Sequence, residues 1–300
     1  MELQPGLWMV HGPTASGKTA LAIELAQHLG TEIVNCDARQ VYRELNVGVA
    51  RPSEAELAAV PHHGIASHSI HEPLTAASYA AWAEPVVQRL LDRHGSAVVV
   101  GGSGLYAAAL LDGLDEMPSG DPELRARFEA QWQLDPRPLV DELRDRDPDY
   151  AASADLKNPR RVVRALEVLY ATGRPYSEFR QQQPTKSWNA AVHEIKIQPE
   201  LRWLEPRIAA RAREMLRHGL REEALALKRW ADTTPLQTVG YREFYAPEAP
   251  LNDDDAMADL VALHTRQYAK RQLTWLAKRT AARAIPAEGA WTYLRTHGRP

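Results

Sequence analysis

The sequence predicts an α/β protein: helices flank a parallel sheet, and a wholly helical segment is inserted into the chain. Three observations carry this expectation. The short apolar runs "LWMVHG", "EIVNCD" and "AVVVGG" end in polar or glycine-rich punctuation and read as buried strands. Between them, "TALAIELAQHL" and "ASYAAWAEPVVQRLLDRH" repeat apolar residues at helical spacing, and that alternation implies parallel strands joined by crossover helices. The tract 120–191 shows helical patterns cut by prolines, closing on the linker "FRQQQPTKSWNA", before "HEIKIQ" resumes the sheet. The core is therefore expected over residues 1–119 and 192–300, with a helical insertion domain over 120–191.

The first strand runs directly into "GPTASGKT", made of Gly12, Pro13, Thr14, Ala15, Ser16, Gly17, Lys18 and Thr19. With a strand before it and a helix after it, this match to G-x-x-x-x-G-K-[ST] has the context that the phosphate-binding loop requires. Consecutive backbone N–H groups form a nest for anionic oxygens, and Lys18 adds a point charge. The Thr19 hydroxyl is the expected ligand for Mg²⁺ bridging two phosphate oxygens. The core is thus expected to be P-loop NTPase-like, carrying an ATP-binding type of motif.

The second strand ends in "NCDARQVYRELNVGVARP". An aspartate there can be a magnesium ligand, a general base or the cap of a following helix, and Asp37 is expected to face the same crevice as the loop. Gln40, Tyr42 and Arg43 are weaker candidates for contact. The third strand ends in "GGSGLY", whose glycines allow close backbone approach to a ligand while Ser103 offers a hydroxyl. A tight turn accounts for the same glycines. The pair His62-His63 has no third ligand at metal spacing and reads as structural. From Leu201 onward the pattern is helical, ending in "HTRQYAKRQLTWLAKRTAARAI".

Composition narrows the class. The 300 residues are 44% hydrophobic and 25% charged, enough for a substantial core, and no apolar run reaches the length of a membrane span. The N-terminus has neither the basic region nor the small-residue cleavage site of an export signal, and the single cysteine, Cys36, rules out an intrachain disulfide or a cysteine-rich zinc module. A cytoplasmic location is expected. Net charge is only -3, yet sixteen Lys/Arg stand against eight Asp/Glu between Leu156 and Trp230, while "NDDDAMAD" is acidic. A basic tract in a near-neutral chain points to a polyanionic partner, though arginines on helices are also commonly a solvated face.

"GPTASGKTALAIELA", "DARQVYRELNVGVARP", "VPHHGI", "VGGSGLY", "NPRRVVRALEV", "GRP", "QTVGYREF" and "KRQLTWL" follow in one order over nearly the whole chain. Together they resemble the tRNA dimethylallyltransferases, also called tRNA isopentenyltransferases, in their bacterial form. The resemblance implies that the loop holds dimethylallyl diphosphate and that the five-carbon group passes to N6 of the adenosine immediately 3′ of the tRNA anticodon. It assigns catalysis to Asp37, Lys18 and Ser103, with Asp37 taking the amine proton. It assigns contact with the tRNA anticodon stem-loop to Asp37, Ala38, Arg39, Gln40, Ser103, Arg125, Arg160, Arg161, Val162, Val163, Arg164, Gln237, Thr238, Val239, Gly240, Tyr241 and Arg242. The partners implied are that RNA and the allylic diphosphate, with Mg²⁺ as cofactor and a monomer as the working form. Three positions depart from the family pattern: Ala38 stands for a commoner Ser, Ser103 for a commoner Thr and Ala66 for a usual Asp.

The reaction so implied has a physical logic. Charge develops on departing diphosphate oxygens, which amides, Lys18 and Mg²⁺ bind more tightly in the transition state than in the ground state. A base flipped from its stack needs a pocket open to both substrates. The rival readings are a P-loop small-molecule or nucleoside kinase, which leaves "RRVVR" and "VGYRE" without a use, and a nucleotide switch, which lacks an Asn-Lys-x-Asp sequence.

Overall fold

Strand β1 (Gly6–His11) is buried at every position and occupies the interior of the sheet. In the computed structural model, which describes residues 3–115, 117–180 and 186–297, it pairs in parallel with β4 (Ser96–Gly101) on one side and β5 (Val192–Ile197) on the other. Beyond β4 lie β2 (Ile33–Asn35) and β3 (His62–His63), and beyond β5 lies β6 (Arg283–Ile285). The order β3-β2-β4-β1-β5-β6 is parallel throughout.

The period of two in the strands decides which helices cover which face. Leu7, Met9, Ala97 and Val99 pack with α3 (Ala76–His94) and α4 (Gly104–Leu111). Trp8, Val10, Val98 and Val100 pack instead with α1 (Lys18–Leu29) and α13 (Ala290–His297). Both faces being covered explains why the strands read as unbroken apolar runs. A third core joins α10 (Leu201–Arg217), α11 (Leu220–Ala226) and α12 (Asp254–Lys278), where Ala212, Leu220, Phe244 and Val261 are buried. The acidic run is absorbed here: Asp253 caps α12, Asp254 pairs with Arg221, and Asp259 lies 3.1 Å from Arg213.

The chain divides into two compact units, Met1–Leu111 with Ser187–Pro300, and Asp112–Lys186. The second begins and ends somewhat earlier than the expected 120–191, and residues 181–185 of the expected linker lie outside the described residues. Within it, α5 (Pro122–Leu134), α6 (Arg137–Arg146), α7 (Pro148–Ser153) and α8 (Pro159–Thr172) each carry proline in the first turn, followed by the short α9 (Tyr176–Phe179). The prolines start these helices rather than merely stopping the preceding ones, since the first turn needs no N–H from them. Asp121, Asp147 and Asn158 supply the caps. Phe128, Leu143, Val162 and Leu166 form the core of this unit.

Two strands escape the sequence reading. The expected terminal helix through "AARAI" stops at Lys278, and Arg283–Ile285 pairs with β5 instead. Alanine and arginine favour helix locally, but hydrogen bonding to an existing edge strand overrides so weak a preference. β3 is a two-residue strand, too short to show a period. Among the described residues no helix is long and apolar enough to cross a membrane.

Candidate active site

The loop after β1 turns through two left-handed residues, Ala15 (φ 63) and Gly17 (φ 85), and delivers Lys18 and Thr19 to the first turn of α1. Left-handed backbone is costly for a residue with a Cβ, so Ala15 marks a conformation imposed by the nest. Gly12 leaves room for the Ser16 hydroxyl, which a Cβ there would meet at 2.6 Å and displace. That hydroxyl is buried and has no partner, a polar group left over for a ligand or ion. The Thr14 amide donates to Gln272 Oε1 at 2.9 Å, while Gln272 Nε2 donates to the Gly102 carbonyl at 2.9 Å, so α12 ties the loop to the exit of β4.

Lys18 lies at the meeting of two cavities. The larger, an open cavity of about 690 Å³, is lined by Thr14, Lys18, Asp37, Arg211, Tyr268 and Gln272 among others. The smaller, about 260 Å³, also contains Lys18 and Asp37 and adds Thr19 and His62. Burial lowers the Lys18 ammonium to about 8, Asp37 opposing the shift and Arg211 adding to it. A cation destabilised in this way gains when an anion arrives.

Asp37 caps the turn that follows β2 with one oxygen and leaves the other toward the cavity. Its Oδ1 accepts from the amides of Arg39 (2.9 Å) and Gln40 (3.3 Å), fixing the turn, whereas Oδ2 takes no hydrogen bond among the described residues. Ser103 Oγ accepts from the Ala38 amide at 2.8 Å and so joins the exits of β2 and β4, with its own proton free to donate. The Ala38 substitution costs this bond nothing, because the backbone makes it. Gly101 is packed so tightly that a Cβ would lie 1.9 Å from the Cys36 carbonyl oxygen. Ala66 has φ 50, a region that aspartate tolerates better than alanine, so the aspartate expected there from the resemblance would suit this backbone.

The expected RNA-contacting residues separate into three groups. Arg39, Thr238, Val239 and Gly240 line the larger cavity, and Arg160 and Arg161 are exposed on the helical unit. Gln40 braces the loop beside it by donating to the carbonyls of Val49 and Ala50, and Gln237 donates to the Ala231 carbonyl. The third group packs wholly or partly into the fold. Val162 and Val163 are buried in the helical core; Tyr241 is wholly buried, its hydroxyl on Glu223; and Arg242 faces buried Glu243. The side chains of Val162, Val163 and Tyr241 are thus closed to a partner, whereas Arg242 stays partly exposed. Arg125 and Arg164 both donate to Glu167, which is fully buried, and Arg164 also reaches the Pro118 carbonyl at 2.6 Å. Arg164 therefore turns inward, although it stands one helical turn after exposed Arg160.

Sequence reasoning missed two arginines of α10. Arg207 donates from Nε to the Ala15 carbonyl at 2.9 Å, and Arg211 Nη1 lies 3.4 Å from the Thr14 hydroxyl. Arg211 forms no ion pair among the described residues, and burial lowers its basicity. Their spacing of four along "RIAAR" was the available signal, but it is common on solvated helices. Among the described residues no group of three His, Cys, Asp or Glu is placed to hold a metal ion, so a cation here must rely on ligand oxygens and few protein groups.

Comparison with known proteins accords with this arrangement. The family model described as IPP transferase matches residues 40–279. A tRNA dimethylallyltransferase of Myxococcus xanthus is 41% identical over 93% of this chain and 92% of its own length. One of Cytophaga hutchinsonii is 38% identical over 90% and 89%. The crystal structure of the full-length tRNA isopentenylpyrophosphate transferase of Bacillus halodurans superposes with a TM-score of 0.67 at 29% identity, covering 98% of this chain and 95% of that one.

Proposed function

The chain belongs to the IPP transferase family, and on that premise we propose that it transfers the dimethylallyl group of dimethylallyl diphosphate to N6 of the adenosine immediately 3′ of a tRNA anticodon, releasing diphosphate. One observation carries the chemistry: the cationic loop end, with Lys18 and Arg211, lines the same cavity as Asp37, whose Oδ2 is free. The allylic C–O bond breaks, leaving its electron pair on diphosphate. The adenine N6 lone pair forms the new C–N bond, and Asp37 Oδ2 takes the N6 proton. Lys18, Arg211 and the loop amides receive the charge that builds on the departing oxygens.

The loop fits a magnesium ion: the Ser16 hydroxyl is buried and unpartnered, and Thr19 and Asp37 line one cavity beside it. Thr19 would hold that ion, and when bound it supplies charge neutralisation to the diphosphate. The cation-lined cavity also suits a nucleotide, but both relatives above are named for dimethylallyl transfer to tRNA, and a kinase reading is not favoured. A monomer acting in the cytoplasm completes the proposal. Incubation with Mg²⁺, labelled dimethylallyl diphosphate and unmodified tRNA should place label in the RNA without consuming ATP. ATP consumption with unlabelled RNA would overturn the reading.

A further inference from the structure

The two adjacent histidines of "VPHHGI" have different surroundings. His63 Nε2 lies 2.6 Å from Glu32 Oε2, and this pair is accounted for by the fold. Successive strand residues point to opposite faces, so His62 goes the other way. Its Nδ1 lies 2.7 Å from the Val60 carbonyl oxygen, which can only accept, so Nδ1 carries the proton and Nε2 presents a lone pair. That Nε2 is buried and has no partner, and His62 lines the smaller cavity with Lys18, Thr19, Asn35, Asp37 and Gln40.

The polar inventory of this cavity says what it receives. Asn35 spends its amide hydrogens on the carbonyls of Gly64 and Asp37, and Gln40 spends its own on Val49 and Ala50. What remains besides Lys18 and Thr19 is acceptors: Asp37 Oδ2, His62 Nε2 and the two amide oxygens. Such a set repels bare phosphate oxygens and fits a ligand rich in O–H donors. Magnesium keeps several of its waters when bound, and each of those waters is a donor. Burial also keeps the His62 ring neutral, so the lone pair stays available beside cationic Lys18.

We propose that His62 Nε2 accepts a hydrogen bond from a water in the coordination shell of the magnesium ion held at Thr19, making His62 a positioning residue for the magnesium–diphosphate complex. The proposal rests on the reading above that the loop binds magnesium and diphosphate. Its test needs no RNA. Binding of inorganic diphosphate is titrated against MgCl₂ by calorimetry, for the unaltered chain and for His62→Phe and His63→Phe. Outer-shell partners of a metal typically matter by about 10-fold or more in affinity, so His62→Phe should raise the Mg²⁺ concentration for half-maximal binding by about tenfold, with His63→Phe close to the unaltered chain. The unaltered chain offers a second measurement that does not depend on a variant folding. With Mn²⁺ and diphosphate added, its His62 ring resonances should broaden far more than those of His63. An unshifted magnesium requirement in folded His62→Phe, or equal broadening of the two rings, overturns the proposal. Absence of any magnesium-dependent diphosphate binding by the unaltered chain would instead remove the functional reading beneath it.

Discussion

Asp37 carries two duties on two oxygens, and a substitution can separate them. In Asp37→Asn the retained Oδ1 still accepts from the amides of Arg39 and Gln40, so the turn survives. The Nδ2 that replaces Oδ2 cannot take a proton, and loss of a general base costs about 10²–10⁴-fold in turnover. We expect that fall in kcat with tRNA affinity changed less than about threefold; equal losses in both would make Asp37 a binding residue. Lys18 supplies a pH signature. Its pKa, brought to about 8 by burial with Arg211 adding and Asp37 opposing, means the free protein loses the cation as pH rises through 8, so diphosphate binding above that pH must take up a proton. Affinity should be flat below pH 8 and fall above it. Lys18→Arg, charged throughout, should abolish the inflection while Lys18→Ala abolishes binding; a flat profile in the unaltered chain would show that Lys18 is not the group involved. For the fold alone the sign is opposite: the unfolded lysine holds its proton to the ordinary value near 10.5, so the ligand-free protein gains stability as pH rises from 8 toward that value.

Elements long enough to show a period were legible. β1, β4, β5, α1 and α3 fall where apolar spacing places them, because burial on a face or stripe writes itself into sequence. β3 and β6 were not, since unlike the similarly short β2 neither sits in an apolar run, and their pairing is fixed by neighbours distant in sequence. The same limit applied to the site. The phosphate loop is local, hence readable, whereas Arg211, Gln272 and the brace of Tyr241 on Glu223 arise only when distant segments meet. Gly101 tests how far element packing controls chemistry. It ends β4 directly against the Cys36 carbonyl, one residue before Asp37, and the Ser103 amide reaches that same carbonyl at 3.4 Å. In Gly101→Ala the clash is with backbone, which no rotamer relieves, so we expect about 1–3 kcal/mol of destabilisation. Thermal unfolding should fall by several degrees and turnover should fall with it, because Asp37 and Ser103 are pushed apart. Full stability in the variant would show that β2 and β4 can separate without cost.

At the scale of the whole molecule, the excess of basic residues is neutralised at home only in part, with Arg213 and Arg221 drawing on acids beyond the basic tract. Arg174 pairs with Glu178, Arg202 with Glu200, Arg213 with Asp259, Arg217 with Glu214 and Arg221 with Asp254, while Arg229 lies over the Trp230 ring. Arg160 and Arg161, by contrast, are exposed and enter no ion pair among the described residues. The motif "NPRRVVR" therefore mixes two physical jobs, and neighbouring substitutions should fail in different ways. Arg161→Ala removes a cation available to phosphate: RNA affinity should weaken, and the slope of log affinity against log salt should drop by about 0.7–0.9, the value of one phosphate contact. Unfolding should be unchanged. Arg164→Ala removes a partner of Glu167, leaving a fully buried carboxylate with Arg125 alone. Breaking such a pair costs about 3 kcal/mol or more when no partner remains, and a part of that when one does. The helical unit should then melt at lower temperature, with RNA affinity falling only as the unit unfolds and with the salt slope of the folded fraction intact. Reversed outcomes, a lost slope in Arg164→Ala and a lost transition in Arg161→Ala, would mean that the inward-facing arginine is the one that meets RNA.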